Sequence, residues 1–345
     1  MSALLHELPV PIVQAPMGGG PSTPELAAAV AGAGGLGFLA AGYKSAEALA
    51  AEIAATRKLT DRFGVNLFVP GPRAEAELFD TYVERLRREA NDREVGEPRW
   101  SDDEWEGKLE LLRRTPVPVV SFTFGCPELD VVEELQAVGS EAWMTVTMPE
   151  EARIAAAAGA DALIVQGHEA GAHQGSFDDA GAGEAIGLLA LLQLVRAEAH
   201  LPLVASGGIA TGAGVAGALA AGASAVQIGT AFMLCPEAGT TAPHRRAIAA
   251  GGPTELTRAF TGRRARGIVN RFLREHRGAP SAYPEVHYAT APLRAAARER
   301  GDPEDLNLWA GQAHALAREE PAADVVARLD AEARQSLRAA LRADS

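Results

Sequence analysis

The chain has 345 residues, 47 % apolar and 22 % charged, with a formal net charge of −13. That length can bury a large core, and the acidity argues against a surface for nucleic acid or anionic membrane. Cys126 and Cys235 are too few for a disulfide framework and suit a reducing compartment. The N-terminus MSALLHELPVP lacks a leader pattern and no run reaches the roughly 20 apolar residues of a membrane helix, so a cytoplasmic location is expected.

In chain order, PIVQAP (11–16) predicts a first strand, followed by a glycine turn and a helix that Ser22 or Thr23 can cap, with Pro24 in its first turn. Residues 36–41 predict a strand, 45–59 an alanine-rich helix, and FGVNLFV (63–69) a third strand. This alternation implies a parallel sheet with right-handed crossovers. Residues 70–115 break the rhythm: strongly charged, with apolar residues at helical spacing, they read as a helical insertion with a solvated amphipathic face. Strands are then predicted at 117–123, 142–146, 162–165, 203–206 and 225–228, with helices at 128–138, 149–158, 187–199 and 211–221 between them.

Eight strands alternating with helices is the count of a closed (β/α)8 TIM barrel, which carries its active site on the loops after the strands and commonly binds phosphate after strands seven and eight. Ser206-Gly207-Gly208-Ile209 follows strand seven, and Gln227-Ile228-Gly229-Thr230 closes strand eight. Glycines there let backbone N–H groups approach phosphate oxygens, and hydroxyls add uncharged donors. Residues 236–304, rich in proline and holding TGRRARGIVNRFLREHR, predict a smaller, mainly helical substrate or lid domain over the barrel mouth. The barrel itself is expected to take 1–235 and 305–345. The arginines between 258 and 274 read as a solvated or interdomain face.

The richest stretch is ADALIVQGHEAGAHQGSF (160–177), where a buried strand opens into a cluster of polar and glycine residues. HEAGAH is one residue too long for the H-E-x-x-H zinc motif and contains Gly171, so no metal is expected. The glycine runs 32–37 and 212–217 fit helix packing better than a dinucleotide fingerprint, and no P-loop is present. His173, between two glycines at the strand's C-terminal end, is the candidate to take, give or hold a proton near neutrality. His168 could support it from behind. Asn66 is a polar residue in an apolar strand and needs a partner, which a bound ligand would supply.

The ordered segments PIVQAPMGGG, GVNLF, VSFTFG, VQGHEAGAHQGSF, PLVASGGI, QIGT, GRRARGIVNRF and LWAGQ resemble the nitronate monooxygenase family, formerly the 2-nitropropane dioxygenases, over nearly the whole chain. The resemblance implies an FMN-binding barrel without metal that oxidises alkyl nitronates, such as propionate 3-nitronate, with dioxygen to a carbonyl compound and nitrite. It puts FMN contacts on Asn66, Gln166, Gly171, Gly208, Gln227, Ile228, Gly229 and Thr230, with Met17 near the flavin ring. Ser206 and Gly207 join them as part of the phosphate loop. The family's catalytic histidine, in its E-A-G-G-H segment, falls on His173, and this chain has Ala172 where that pattern usually has glycine. Implied partners are the nitronate and dioxygen, and a homodimer is compatible. The alternatives are an NAD(P)H-dependent flavin reductase of the enoyl-acyl-carrier-protein or quinone type, and a non-catalytic flavin or phosphometabolite binder.

Overall fold

The computed structural model describes residues 2–181 and 185–342; the outermost residues of the expected barrel segments, 1 and 343–345, and residues 182–184 lie outside it. Eight parallel strands form the barrel: β1 (Ile12–Gln14), β2 (Gly37–Ala40), β3 (Phe63–Phe68), β4 (Val119–Thr123), β5 (Glu141–Val146), β6 (Ala162–Gln166), β8 (Leu203–Ser206) and β9 (Ala225–Ile228). Each pairs with its neighbour in the order β1-β9-β8-β6-β5-β4-β3-β2. The ring closes where the Gln14 N–H donates to the Leu36 carbonyl (2.8 Å) and the Leu36 N–H to the Ile12 carbonyl (3.0 Å). This is a (β/α)8 TIM barrel.

The period-two alternation of strand side chains explains its two cores. Val13, Leu36, Phe38, Trp143, Ile164 and Val204 fill the interior, while their neighbours Ile12, Leu39, Met144, Leu163 and Val165 pack outward beneath the helices. Gly64 makes room for this filling: a Cβ there would lie 2.3 Å from the Phe38 ring. At the bottom, helix Ala3–Glu7 is tied down by Glu141, which accepts from the Leu4 N–H (2.9 Å). Outside, Thr23 caps helix Pro24–Gly32 and Ser45 caps helix Ala46–Arg57. Helix Ala322–Arg342 completes the ring against helices Gly212–Ala220 and Pro24–Gly32.

Two features depart from the sequence reading. Helix Ala76–Glu89 of the insertion is amphipathic, as its pattern indicates, but its apolar face packs away from the barrel: Phe79, Tyr82, Val83 and Leu86 are buried in a second core with Phe260, Phe272, Val286 and Leu293. Apolar residues from 79 to 90 therefore pack with the 259–293 region rather than with the barrel. That region, expected to be mainly helical, also holds an antiparallel sheet in which β10 (Thr254–Thr257) pairs with β11 (Ala265–Ile268) and β11 with the two-residue β7 (Ala172–His173). TELT and ARGI are too short and too charged to announce strands. Their pairing draws the loop after β6 onto the lid.

Candidate active site

The strand ends and the lid enclose a cavity of about 330 Å³. Twelve of the residues singled out from the sequence line it, from Met17 after β1 to Thr230 after β9. They serve it in different ways.

The ends of β8 and β9 form a site built mainly from backbone. Gly207 (φ +106°) and Gly208 (φ +71°) take left-handed conformations that disfavour side chains. A Cβ on Gly208 would also lie 2.9 Å from Cβ of Glu169. Ser206 Oγ donates to Gln227 Oε1 at 3.4 Å, and Gln227 Nε2 is buried without a partner. Thr230 Oγ1 accepts from the Gly311 N–H at 3.1 Å. Glycines at positive φ beside an unsatisfied buried donor leave room and a hydrogen-bond donor for a ligand, and the residues present fit a flavin nucleotide.

Other predicted residues hold the wall together. Gln166 spans the loop, donating from Nε2 to the His173 carbonyl (3.1 Å) and accepting at Oε1 from the Gly175 N–H (2.7 Å). Asn66 Nδ2 donates to Ser121 and Thr123 on β4, so the partner expected from a ligand is already present for that nitrogen. Gly171 is glycine because the backbone of Ala310 and Gly311 crosses it; a Cβ would lie 2.4 Å from the Gly311 nitrogen. Ala172 has φ +61°, so the position asks for glycine on backbone grounds. His168 does not line this cavity: its carbonyl accepts from Arg266 at 3.0 Å. Glu169, beside it, receives the Leu188 N–H at the start of helix Leu188–Glu198.

His173 stands on the cavity wall among Phe68, Phe124, Tyr283 and Trp309, with ring centroids 5.5 to 6.3 Å away. Its Nε2 lies 3.0 Å from Thr261 Oγ1, whose hydroxyl donates onward to the Arg263 carbonyl (3.2 Å). That chain favours the tautomer with the proton on Nε2 and leaves Nδ1 as the acceptor. Burial and the nearby cations Arg263 and Arg294, opposed by Asp179, lower its pKa to about 3. The imidazole is neutral at physiological pH.

The sequence reading missed several wall residues. Tyr43 stacks on His287 (3.9 Å between centroids, 2° apart). Arg294, 8 % exposed, donates to Thr290 Oγ1 and to the His287 carbonyl, and among the described residues it pairs with no carboxylate. Burial lowers its pKa to about 10, which leaves it charged at neutral pH. Its signal was present in the sequence: an arginine interrupting the apolar stripe Val286, Ala289, Leu293, Ala297 of helix Glu285–Arg300. The arginines between 258 and 274 divide: Arg271 and Arg274 pair with Glu275, Glu304 and Asp305 near by, whereas others reach the loop after β6. Arg258 and Arg264 pair with the buried Asp179 at 2.7 and 3.5 Å, and Arg263 stacks on Phe124.

No helix among the described residues is long and apolar enough to cross a membrane. A family model described as nitronate monooxygenase matches residues 2–332. The nitronate monooxygenase of Pseudomonas aeruginosa is 44 % identical over 341 residues, covering 94 % of this chain and 96 % of that protein. The crystal structure of a nitroalkane oxidase from Streptomyces ansochromogenes superposes with a TM-score of 0.94 at 52 % identity, covering 99 % of this chain and all of the other. FabK from Thermotoga maritima is more distant, at a TM-score of 0.78 and 28 % identity over all of this chain and 99 % of its own. Barrel, cavity and kinship together make this chain an oxidoreductase of nitro compounds that belongs to the nitronate monooxygenase family.

Proposed function

We propose that the enzyme binds FMN and oxidises anionic alkyl nitronates, propionate 3-nitronate among them, with dioxygen to a carbonyl compound and nitrite. The observation that carries the choice is a neutral His173 facing a cavity that also presents the unpaired guanidinium of Arg294. A base whose conjugate acid has a pKa near 3 is poorly matched to removing a carbon-bound proton at neutral pH. The already ionised nitronate needs no such step and gains from the cation.

In this reading the glycine cradle after β8 and β9 holds the phosphate, and Met17, Asn66 and Gln227 border the rest of the nucleotide. Bound there, FMN supplies the electron-transfer chemistry between organic substrate and dioxygen. Arg294 attracts the anion, and Thr261 fixes the His173 ring so that it can orient the nitronate oxygens. Phe68, Phe124 and Trp309 keep that side dry and strengthen both contacts. Two free cysteines agree with work in the cytoplasm.

Oxygen uptake by the FMN-loaded protein tests the proposal. Nitronates should support turnover, the matching neutral nitroalkanes should be poor substrates, and His173→Ala should retain FMN while losing roughly 10- to 100-fold in kcat/KM, the worth of a hydrogen bond to a charged group. Equal rates with both substrate forms would refute the electrostatic reading. Rapid anaerobic bleaching of the flavin by NADH would favour the reductase alternative.

A further inference from the structure

The cradle after β8 and β9 presents hydroxyls and backbone N–H groups but no lysine or arginine: Ser206, Gly207, Gly208, Gly229 and Thr230 are uncharged. A phosphate monoester with a second pKa near 6 carries close to two charges at neutral pH. His314 is 3 % exposed, lines the cavity, and begins the short helical turn His314–Leu316 packed on Thr230–Phe232. Its Nδ1 lies 3.0 Å from the Gly311 carbonyl, and the N–H of Gly311 is the group bonded to Thr230 Oγ1. Its Nε2 is buried with no partner.

Those contacts fix the chemistry of the ring. A carbonyl can only accept, so Nδ1 carries a proton and the neutral ring presents Nε2 as a bare acceptor. Toward a phosphate oxygen, that neutral form is a lone pair facing negative charge. The same ring with a second proton becomes a charge-assisted donor.

We propose that His314 binds the phosphate of the flavin nucleotide as an imidazolium, and that the cofactor enters this site together with a proton. The inference rests on the FMN reading above and adds to it a cationic phosphate ligand that no glycine motif announces. Other charged groups on the surrounding segments are engaged elsewhere. His244, on helix Ala242–Ala250, is held by the Trp309 carbonyl (2.9 Å), and burial keeps it neutral, with a pKa of about 4. Arg245 donates to the carbonyls of Met233, Leu234 and Cys235 and reaches Glu319, while Arg246 is exposed. Glu320 pairs with Arg328 at 2.5 Å, and Glu169 accepts the Leu188 N–H. Arg318 follows on the same segment. The segment Thr230–Phe232 contributes no ionisable group.

The test is titration of flavin-stripped, full-length protein with FMN and with riboflavin, followed by flavin fluorescence at pH 6.5 and 8.5. His314→Gln should weaken FMN binding roughly 10- to 30-fold at pH 6.5. The loss should shrink to less than about threefold at pH 8.5, where the wild type must also bring in a proton. Riboflavin, lacking the phosphate, should bind both proteins alike. Calorimetry of the wild type in buffers of different ionisation enthalpy should show net proton uptake on FMN binding, a readout independent of how the variant folds. Equal losses for FMN and riboflavin, a loss that does not change with pH, or no proton uptake would each overturn the assignment. Failure of the wild type to bind FMN at any pH would overturn the cofactor reading and this inference with it.

Discussion

The two ends of the cavity are built on different principles. The cradle after β8 and β9 is made mainly of backbone and short uncharged side chains, from two segments that begin as strands and end in glycine. The facing wall is made of side chains from distant parts of the chain: Tyr43, Phe68, His173, Thr261, Tyr283, His287 and Arg294. A backbone site recognises a shape shared by many ligands, whereas a side-chain wall discriminates among substrates. On the proposed reading, the cradle is a fixture of the fold and the wall is where substrate choice would be made.

Arg294→Met should separate the two ends most sharply. Losing a buried cation that meets an anion costs several kcal/mol of binding, so KM for a nitronate should rise about a hundredfold while FMN content stays unchanged. The folded protein should be no less stable than the wild type, because a buried charge without a carboxylate partner is removed. Steady-state kinetics and thermal unfolding check the two halves. Acid titration comes next. His173 and His244 have folded-state pKa values of about 3 and about 4, below the ordinary histidine value, so the unfolded chain takes up these protons first. Their contribution to stability is complete above about pH 6.5 and is lost as pH falls toward those values, at about 1.4 kcal/mol per pH unit for each group. Denaturant unfolding between pH 5 and 6.5 should lose one such increment of slope in His173→Gln.

Gly208→Ala probes the other end. The left-handed backbone costs an alanine about 1–2 kcal/mol, and the Cβ must also displace Glu169. FMN affinity should fall roughly tenfold, with the KM of the remaining holoenzyme little changed. Smallest is Ala172→Gly, which relieves φ +61° beside His173. Relief of strain is partly offset by the greater freedom of unfolded glycine, so a gain of no more than about 1 kcal/mol is expected in equilibrium unfolding.

This contrast also explains what could be read from the sequence. Strand runs such as Ala162–Val165 and the glycines at 207, 208 and 229 encode their structure locally, so the barrel and its cradle were legible. The wall was not. Arg294 and His287 stand 121 and 114 residues from His173 in sequence, and although the helix pattern marks Arg294, only packing reveals that no carboxylate among the described residues pairs with it. The lid strands Thr254–Thr257 and Ala265–Ile268 were hidden for a similar reason. Their polar residues are satisfied by partners far along the chain, with Arg266 donating to the His168 carbonyl and Asp179 receiving Arg258 and Arg264. Gln166 and Gly171 were picked out as flavin contacts, yet their geometry is also set by the protein itself: one bridges its own loop, the other lets two backbones cross.

The short ladder that joins Ala172–His173 to Ala265–Arg266, extended by the Gln174 N–H to the Arg264 carbonyl (2.8 Å), has a consequence for traffic. The imidazole rides on a seam sewn from both halves, so swinging the cover away would rip out its own stitching and misplace the ring. A substrate that reaches the cavity with this ladder intact has to enter beside the cover and not beneath it. Thr241, Arg298 and Asn307 line the same chamber, and bulky substitutions at these positions would test such a route.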